Sequence, residues 1–215
     1  MEPNWQKSQP GIQVDISPSD VRFTKGDAIA SILIGFIIGV FAPSILNNVG
    51  KSLPLQEFYL VIFPILTLVG MWVTYIIAAR VPVLVQIAKF GAVGVANTVI
   101  DFGILNFLSA YFEIYSGAAI SPLNATSFTV AVVNSYFWNK YWTFKAGKES
   151  GSKQFIEFII VSVIGILINT AIVYLATTFA QPFAGFSEAQ WLNVSKVFAT
   201  FLSLVWNFIG YKFIV

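Results

Sequence analysis

The sequence predicts an all-α membrane protein of six transmembrane helices, an N-terminal hairpin followed by a four-helix bundle, with both termini cytoplasmic. Three observations carry this expectation. Of the 215 residues, 57% are hydrophobic and only 10% are charged, whereas a soluble domain carries about 25% charged residues. The apolar residues fall into runs at Ala28–Leu46, Phe58–Ala79, Phe90–Phe112, Ala125–Phe144, Phe158–Phe179 and Val194–Val215. Each is close to the ~20 helical residues that cross a ~30 Å hydrocarbon layer. Basic residues, finally, alternate between the links. Lys7, Arg22 and Lys25 precede the first run, and Arg80 and Lys89 precede the third. Lys145, Lys148 and Lys153 precede the fifth, with Lys140 just before that link. The link after the first run has only Lys51, and residues 113–124 and 180–192 have no Lys or Arg. The positive-inside rule then places both termini on the cytoplasmic side of a multi-pass plasma-membrane protein.

Taken in order, residues 1–26 form a polar cytoplasmic tail, broken by Pro3, Pro10, Gly11 and Pro18. No small-x-small cleavage site accompanies the first run, which reads as a retained span. Residues 27–82 form the additional hairpin. There Gly35 and Gly39 either make a small-xxx-small face for close helix approach or are glycines merely tolerated in a membrane helix. Residues 83–215 hold the remaining four runs as two parallel two-helix repeats, at about 87–144 and 155–215. "KFGAVGVANTVID" (89–101) parallels "EFIIVSVIGILIN" (157–169) at an offset of 68, which pairs Asp101 with Asn169. "VVNSYFWNKYWT" (132–143) parallels "LVWNFIGYKFIV" (204–215) at an offset of 72, which pairs Lys140 with Lys212. Two spans separate the copies, so they share one orientation and imply a pseudo-two-fold axis along the membrane normal.

The composition also excludes chemistry. Cysteine and histidine are absent, which removes thiol chemistry and the commonest general base and metal ligand. The acids are scattered, and there is no Gly-x-Ser-x-Gly elbow or phosphate-binding loop. The expectation is a protein that is not an enzyme and holds no metal or cofactor. A net charge of +2 is too small to argue for nucleic acid.

The polar residues within the spans are either static interhelical clamps or a substrate-facing polar site, and so are the candidates for function. Asn97 and Asp101 are four apart and share a helical face. An acid at the depth of Asp101 costs roughly 2.5–3.5 kcal/mol and needs a partner. Asn134 on the next span is its expected donor, with Lys196 entering span six from outside and reaching only partway. In "NSYFWNKYWTF" (134–144), Trp138, Tyr141 and Trp142 read as rings at the interface. Lys140 and Lys212 are either phosphate-attracting charges or ordinary anchors, and Lys89 reads as an anchor.

The runs "FGAVGVANTVIDFGILNFL", "VNSYFWNKYWTF", "FIEFIIVSVIGILIN" and "LSLVWNFIGYKF" resemble the GtrA-like family of small membrane proteins over residues 87–215. That resemblance implies a protein that flips or delivers polyprenyl-phosphate-linked sugars across the cytoplasmic membrane for cell-surface polysaccharide or glycan synthesis. The substrate-binding residues would be Asn97, Asp101, Asn134, Asn139, Lys140, Asn169, Asn207 and Lys212. The partners would be the lipid-linked sugar, membrane lipid and a membrane glycosyltransferase. A homo-oligomer would widen a groove that four helices and a hairpin leave thin. One alternative is a non-transporting adaptor that anchors or regulates a polyprenyl-phosphate glycosyltransferase. Another is a small-molecule or cation exporter, whose hallmark acid in the first span of each repeat is half met, because Asp101 is matched by Asn169.

Overall fold

The apolar runs fold, in the computed structural model, as six helices: α1 (Lys25–Asn48), α2 (Tyr59–Ala78), α3 (Val83–Phe112), α4 (Ile120–Trp138), α5 (Ser152–Phe179) and α6 (Glu188–Phe213). The structure describes residues 21–51, 54–143, 152–183 and 185–213, without the side chains of 152–155 and 207–213. Most of the polar tail and the Lys145 and Lys148 link lie outside the described residues.

Several helices start earlier than the apolar runs suggest, because polar residues form their first turns. Thr24 caps α1 by accepting from the Asp27 backbone N–H at 3.2 Å, while Asp27 Oδ2 accepts from the Thr24 backbone N–H at 3.1 Å. This reciprocal capping box satisfies two donors that a helix start would otherwise leave unpaired. It also brings Asp27 inside the helix. Likewise α3 begins seven residues before Phe90, which places Lys89 within it, and α6 begins at Glu188 rather than Val194.

Helices successive in the chain run in opposite directions, so α1 and α3 are parallel. The start of α1 meets the end of α2, the start of α3 and the turn after α4, through Asp27 to Tyr75, Lys89 and Trp142. At the opposite end, the last turn of α1 meets α3 through Asn48 and Asn106, and α3 meets the first turns of α6 through Asn106 and Asn193. We call these the tail end and the far end.

Gly35 and Gly39 both face α2. A Cβ at Gly35 would lie 2.5 Å from the Phe63 carbonyl oxygen, and one at Gly39 would lie 2.5 Å from the Tyr59 carbonyl oxygen. The pair therefore makes a close-approach face, because only a hydrogen lets the backbones come this near. Thr67 strengthens the crossing by donating to the Ser31 carbonyl at 2.7 Å. On the other side of α1, the Phe41 ring occupies the space beside Gly103 of α3.

This is a multi-pass membrane protein. Large apolar side chains such as Ile29, Leu66, Trp72, Phe107, Leu167 and Phe201 point outward, as they do where hydrocarbon is the solvent. Among the described residues, four segments are long and apolar enough to cross a membrane: Lys25–Asn48, Gln56–Ala78, Val83–Phe112 and Ile156–Phe179. The other two helices are less apolar for a reason visible in their packing. α4 carries Asn124 and Ser127 inward, and α6 carries Asn193, Lys196 and Ser203 inward. Two apolar cores result, one around Ile34, Val93 and Trp142 and one around Leu105, Ile120 and Leu192.

Candidate functional site

Helix α3 presents polar side chains inward at Lys89, Asn97, Asp101 and Asn106, and each engages a different set of partners. Lys89 and Asn106 are 17 residues apart, so these contacts extend over roughly 25 Å of helix.

At the tail end, Lys89 Nζ lies 2.6 Å from Asp27 Oδ1, with both side chains buried. Trp142 Nε1 donates to the same oxygen at 3.0 Å, and the Tyr75 hydroxyl donates to Oδ2 at 2.9 Å. The ammonium also sits 5.2 Å from the Trp142 ring and 5.9 Å from the Tyr75 ring. An isolated ion here would be costly, and pairing plus aromatic faces offsets its desolvation. The expectation that Lys89 and Trp142 are interfacial anchors is thereby corrected. Both are internal, because the capped start of α1 supplies a carboxylate that the apolar run does not include. Tyr141 is 66% exposed, and Trp138 is half-buried and donates to Asn134 Oδ1 at 3.1 Å.

The placement of Trp142 depends on a change of helix type. After Trp138, α4 continues as a π turn over Asn139–Thr143. Such a turn holds one residue more than an α turn and re-aims the side chains at its end. Within it, Asn139 Nδ2 donates to Ser135 Oγ at 3.1 Å, while its Oδ1 is buried without a hydrogen-bond partner among the described residues. Lys140 Nζ donates to the Tyr136 hydroxyl at 3.0 Å and lies 5.3 Å and 5.7 Å from the Tyr136 and Tyr141 rings. Deeper in the bundle, Asn134 Nδ2 donates to Asn97 Oδ1 at 2.7 Å.

Near the middle of α3 lies the most polar layer. Asp101 Oδ2 is 2.7 Å from Lys196 Nζ, and Ser127 Oγ donates to Oδ1 at 2.7 Å. The same ammonium donates to Asn124 Oδ1 at 2.8 Å and Asn169 Oδ1 at 3.0 Å. Asn124 Nδ2 donates to Asn169 Oδ1 at 3.0 Å, and Asn169 Nδ2 donates to Ser203 Oγ at 3.2 Å. The expected partner of Asp101 is thus corrected: it is Lys196, not Asn134, which pairs with Asn97 instead. The physical reason is the early start of α6. Lys196 sits eight residues inside it, roughly 12 Å from the end, so it is level with Asp101 and not at the mouth of its span.

By the sequence offsets, Asp101 corresponds to Asn169, and Asn124 corresponds to Lys196. The contact from Asp101 to Lys196 and the contact from Asn169 to Asn124 are therefore exchanged by the same correspondence. The four residues come from four helices and meet at one point. Sequence reasoning named Lys196 but let it reach only partway, and it missed Asn124 and Asp27. The offset of 72 leads from Asn124 to Lys196, and the Thr24-x-x-Asp27 pattern announces a helix start. Asn207 and Lys212 have side chains outside the described residues.

Beyond this layer, Asn106 and Asn193 exchange two amide hydrogen bonds of 2.8 Å, and Asn48 donates to Asn106 Oδ1 at 2.7 Å. Gln190 Nε2 adds a contact of 3.2 Å to the Val49 carbonyl. The hairpin is therefore tied to the four-helix part at both ends.

Comparison with known proteins places this arrangement. The family model for the GtrA/DPMS transmembrane domain matches residues 89–215. An uncharacterised membrane protein of Bacillus subtilis (strain 168), YngA, is 34% identical over 124 residues, covering 58% of this chain and 74% of the relative. No solved structure matches the chain.

Proposed function

The chain belongs to the GtrA/DPMS transmembrane-domain family, and from that membership we propose that it flips or delivers polyprenyl-phosphate-linked sugars across the plasma membrane. In this reading α4 and α6 are spans as well, both termini are cytoplasmic, and no covalent chemistry takes place. The observation that supports it best is the layer formed by Asp101, Lys196, Asn124 and Asn169 in the interior of apolar helices. Ionisable groups at such depth are expensive, and function is the usual reason for keeping them. Amides suit a sugar head because its hydroxyls need partners that hydrocarbon lacks.

The first contact for such a head is the π turn. Lys140 offers a half-buried charge, and Asn139 offers an acceptor oxygen without a partner among the described residues. Asn97 and Asn134 come next, then the central layer. The test is reconstitution in liposomes with a labelled polyprenyl-phospho-sugar and no glycosyltransferase. Labelled lipid should change leaflets faster than in protein-free liposomes, and Lys140→Gln should slow it. Movement no faster than in empty liposomes would defeat the transport reading.

One observation favours the second reading, a membrane adaptor for a glycosyltransferase. The side chains of Asn97, Asp101, Asn124, Asn134 and Asn169 are already hydrogen-bonded to one another or to Lys196, Ser127 and Ser203. An adaptor would retain the transferase through purification and show no lipid movement by itself.

A further inference from the structure

We propose that Lys196 is a masked anion site, in which the Asp101 carboxylate stands where a phosphate group binds. Three features of the layer support this. The lysine is wholly buried, and its three N–H groups meet three acceptors, on Asp101, Asn124 and Asn169. An ammonium has three donors and no more. Its position is thus fixed before any ligand arrives, and that pre-organisation lowers the cost of binding.

The second feature is that only one of its three partners is charged. The carboxylate is carried by α3, whereas the amides come from α4 and α5. Every other described acid lies at or near a helix end: Asp27, Glu57, Glu113, Glu157 and Glu188. Among the described residues no second carboxylate serves Lys196, so withdrawal of Asp101 leaves a buried ammonium that either sheds its proton or takes another anion as its partner.

The third feature is chemical and mechanical at once. Anionic phosphate oxygens accept from an ammonium and a hydroxyl just as the Asp101 oxygens accept from Lys196 and Ser127. A phosphate at Lys196 would displace Asp101 and so remove one of the polar ties between α3 and α6, leaving the Asn106–Asn193 pair toward the far end. Binding and separation of these helices are then one event, and the ligand favours the separated state by its preference for the freed lysine. The assignment of a lipid-borne phosphate rests on the transport reading; a site for the phosphate group itself does not.

The experiment uses the full chain in detergent and follows ligand-dependent thermal stabilisation with a short-chain polyprenyl phosphate, inorganic phosphate and the uncharged polyprenol. Asp101→Asn should bind phosphate about tenfold more tightly than the wild type, because a charged competitor is gone. Lys196→Gln should lose the response. Stabilisation by the polyprenyl phosphate alone would identify a lipid headgroup, and stabilisation by both phosphates a general phosphate site; either supports the proposal. A folded Asp101→Asn protein that binds no more tightly than wild type would overturn it. If that variant does not fold, the neutral double variant Asp101→Asn/Lys196→Gln decides: retained binding overturns the site, and lost binding supports it. Liposome assays keep the two ideas apart. Binding without flipping leaves the site and removes transport, whereas flipping with no phosphate response in any variant does the reverse.

Discussion

Lysine is among the residues least suited to a membrane interior, yet among the described residues two are buried, Lys89 at 3% exposure and Lys196 at 0%. Each is neutralised by a carboxylate from another helix, and removing one partner strands the other. Lys89→Leu should therefore cost about 3–5 kcal/mol, whereas Lys89→Leu/Asp27→Leu should cost clearly less than the two single changes summed. Unfolding in detergent micelles measures this, and strictly additive losses would show that the pair is not coupled. The sequence makes Asp101 legible because an acid inside an apolar run is conspicuous. Lys89 and Asp27 are less so, since charges flanking apolar runs are ordinary and only the folded hairpin brings these two together. Lys196 is visible in the sequence but set at the mouth of its span, for a related reason. An apolar run marks hydrocarbon-compatible residues, and the polar first turns of α6 fall outside that description although they belong to the same helix.

For the helices themselves, the hairpin and the four-helix part are joined by close packing as much as by charge. Gly35 and Gly70 lie in adjacent helices but in opposite situations. A Cβ at Gly35 collides with α2 backbone, whereas a Cβ at Gly70 meets nothing within 4 Å. Gly35→Ala should thus lower the unfolding temperature by several degrees, and Gly70→Ala should leave it unchanged or raise it slightly. Equal effects would mean that the close crossing of α1 and α2 is not what holds them together. The family model begins at Lys89, so the hairpin's Asp27 compensates a charge within the family region. Two separately expressed pieces, 1–80 and 81–215, should accordingly co-purify, and Asp27→Leu in the first piece should weaken that association. The six apolar runs made this element order readable in advance. The π turn was not readable, because nothing in Asn-Lys-Tyr-Trp-Thr distinguishes it from continued α-helix until Trp142 has somewhere to point.

At the scale of the whole molecule, orientation can be tested cleanly because the chain has no cysteine of its own. Single cysteines at Ser116 and Gly185 should react with an impermeant reagent from outside, and one at Gly26 should react only after permeabilisation. Labelling at Gly26 in sealed cells would invert the assignment. The central layer has a further implication, which concerns symmetry. If two identical subunits met on a two-fold axis, every residue there would appear twice. An aspartate would bring a second aspartate and a lysine a second lysine, or else all positions would be amides. A single ion pair cannot be built that way. Here the corresponding positions lie on one continuous chain, so Asp101 can differ from Asn169, and Lys196 from Asn124. Covalent continuity is what permits one cation to sit alone at the meeting point of four helices. The two halves are then free to be chemically unequal, and only an unequal pair can hold one ion pair, rather than two or none, at the centre of the bundle.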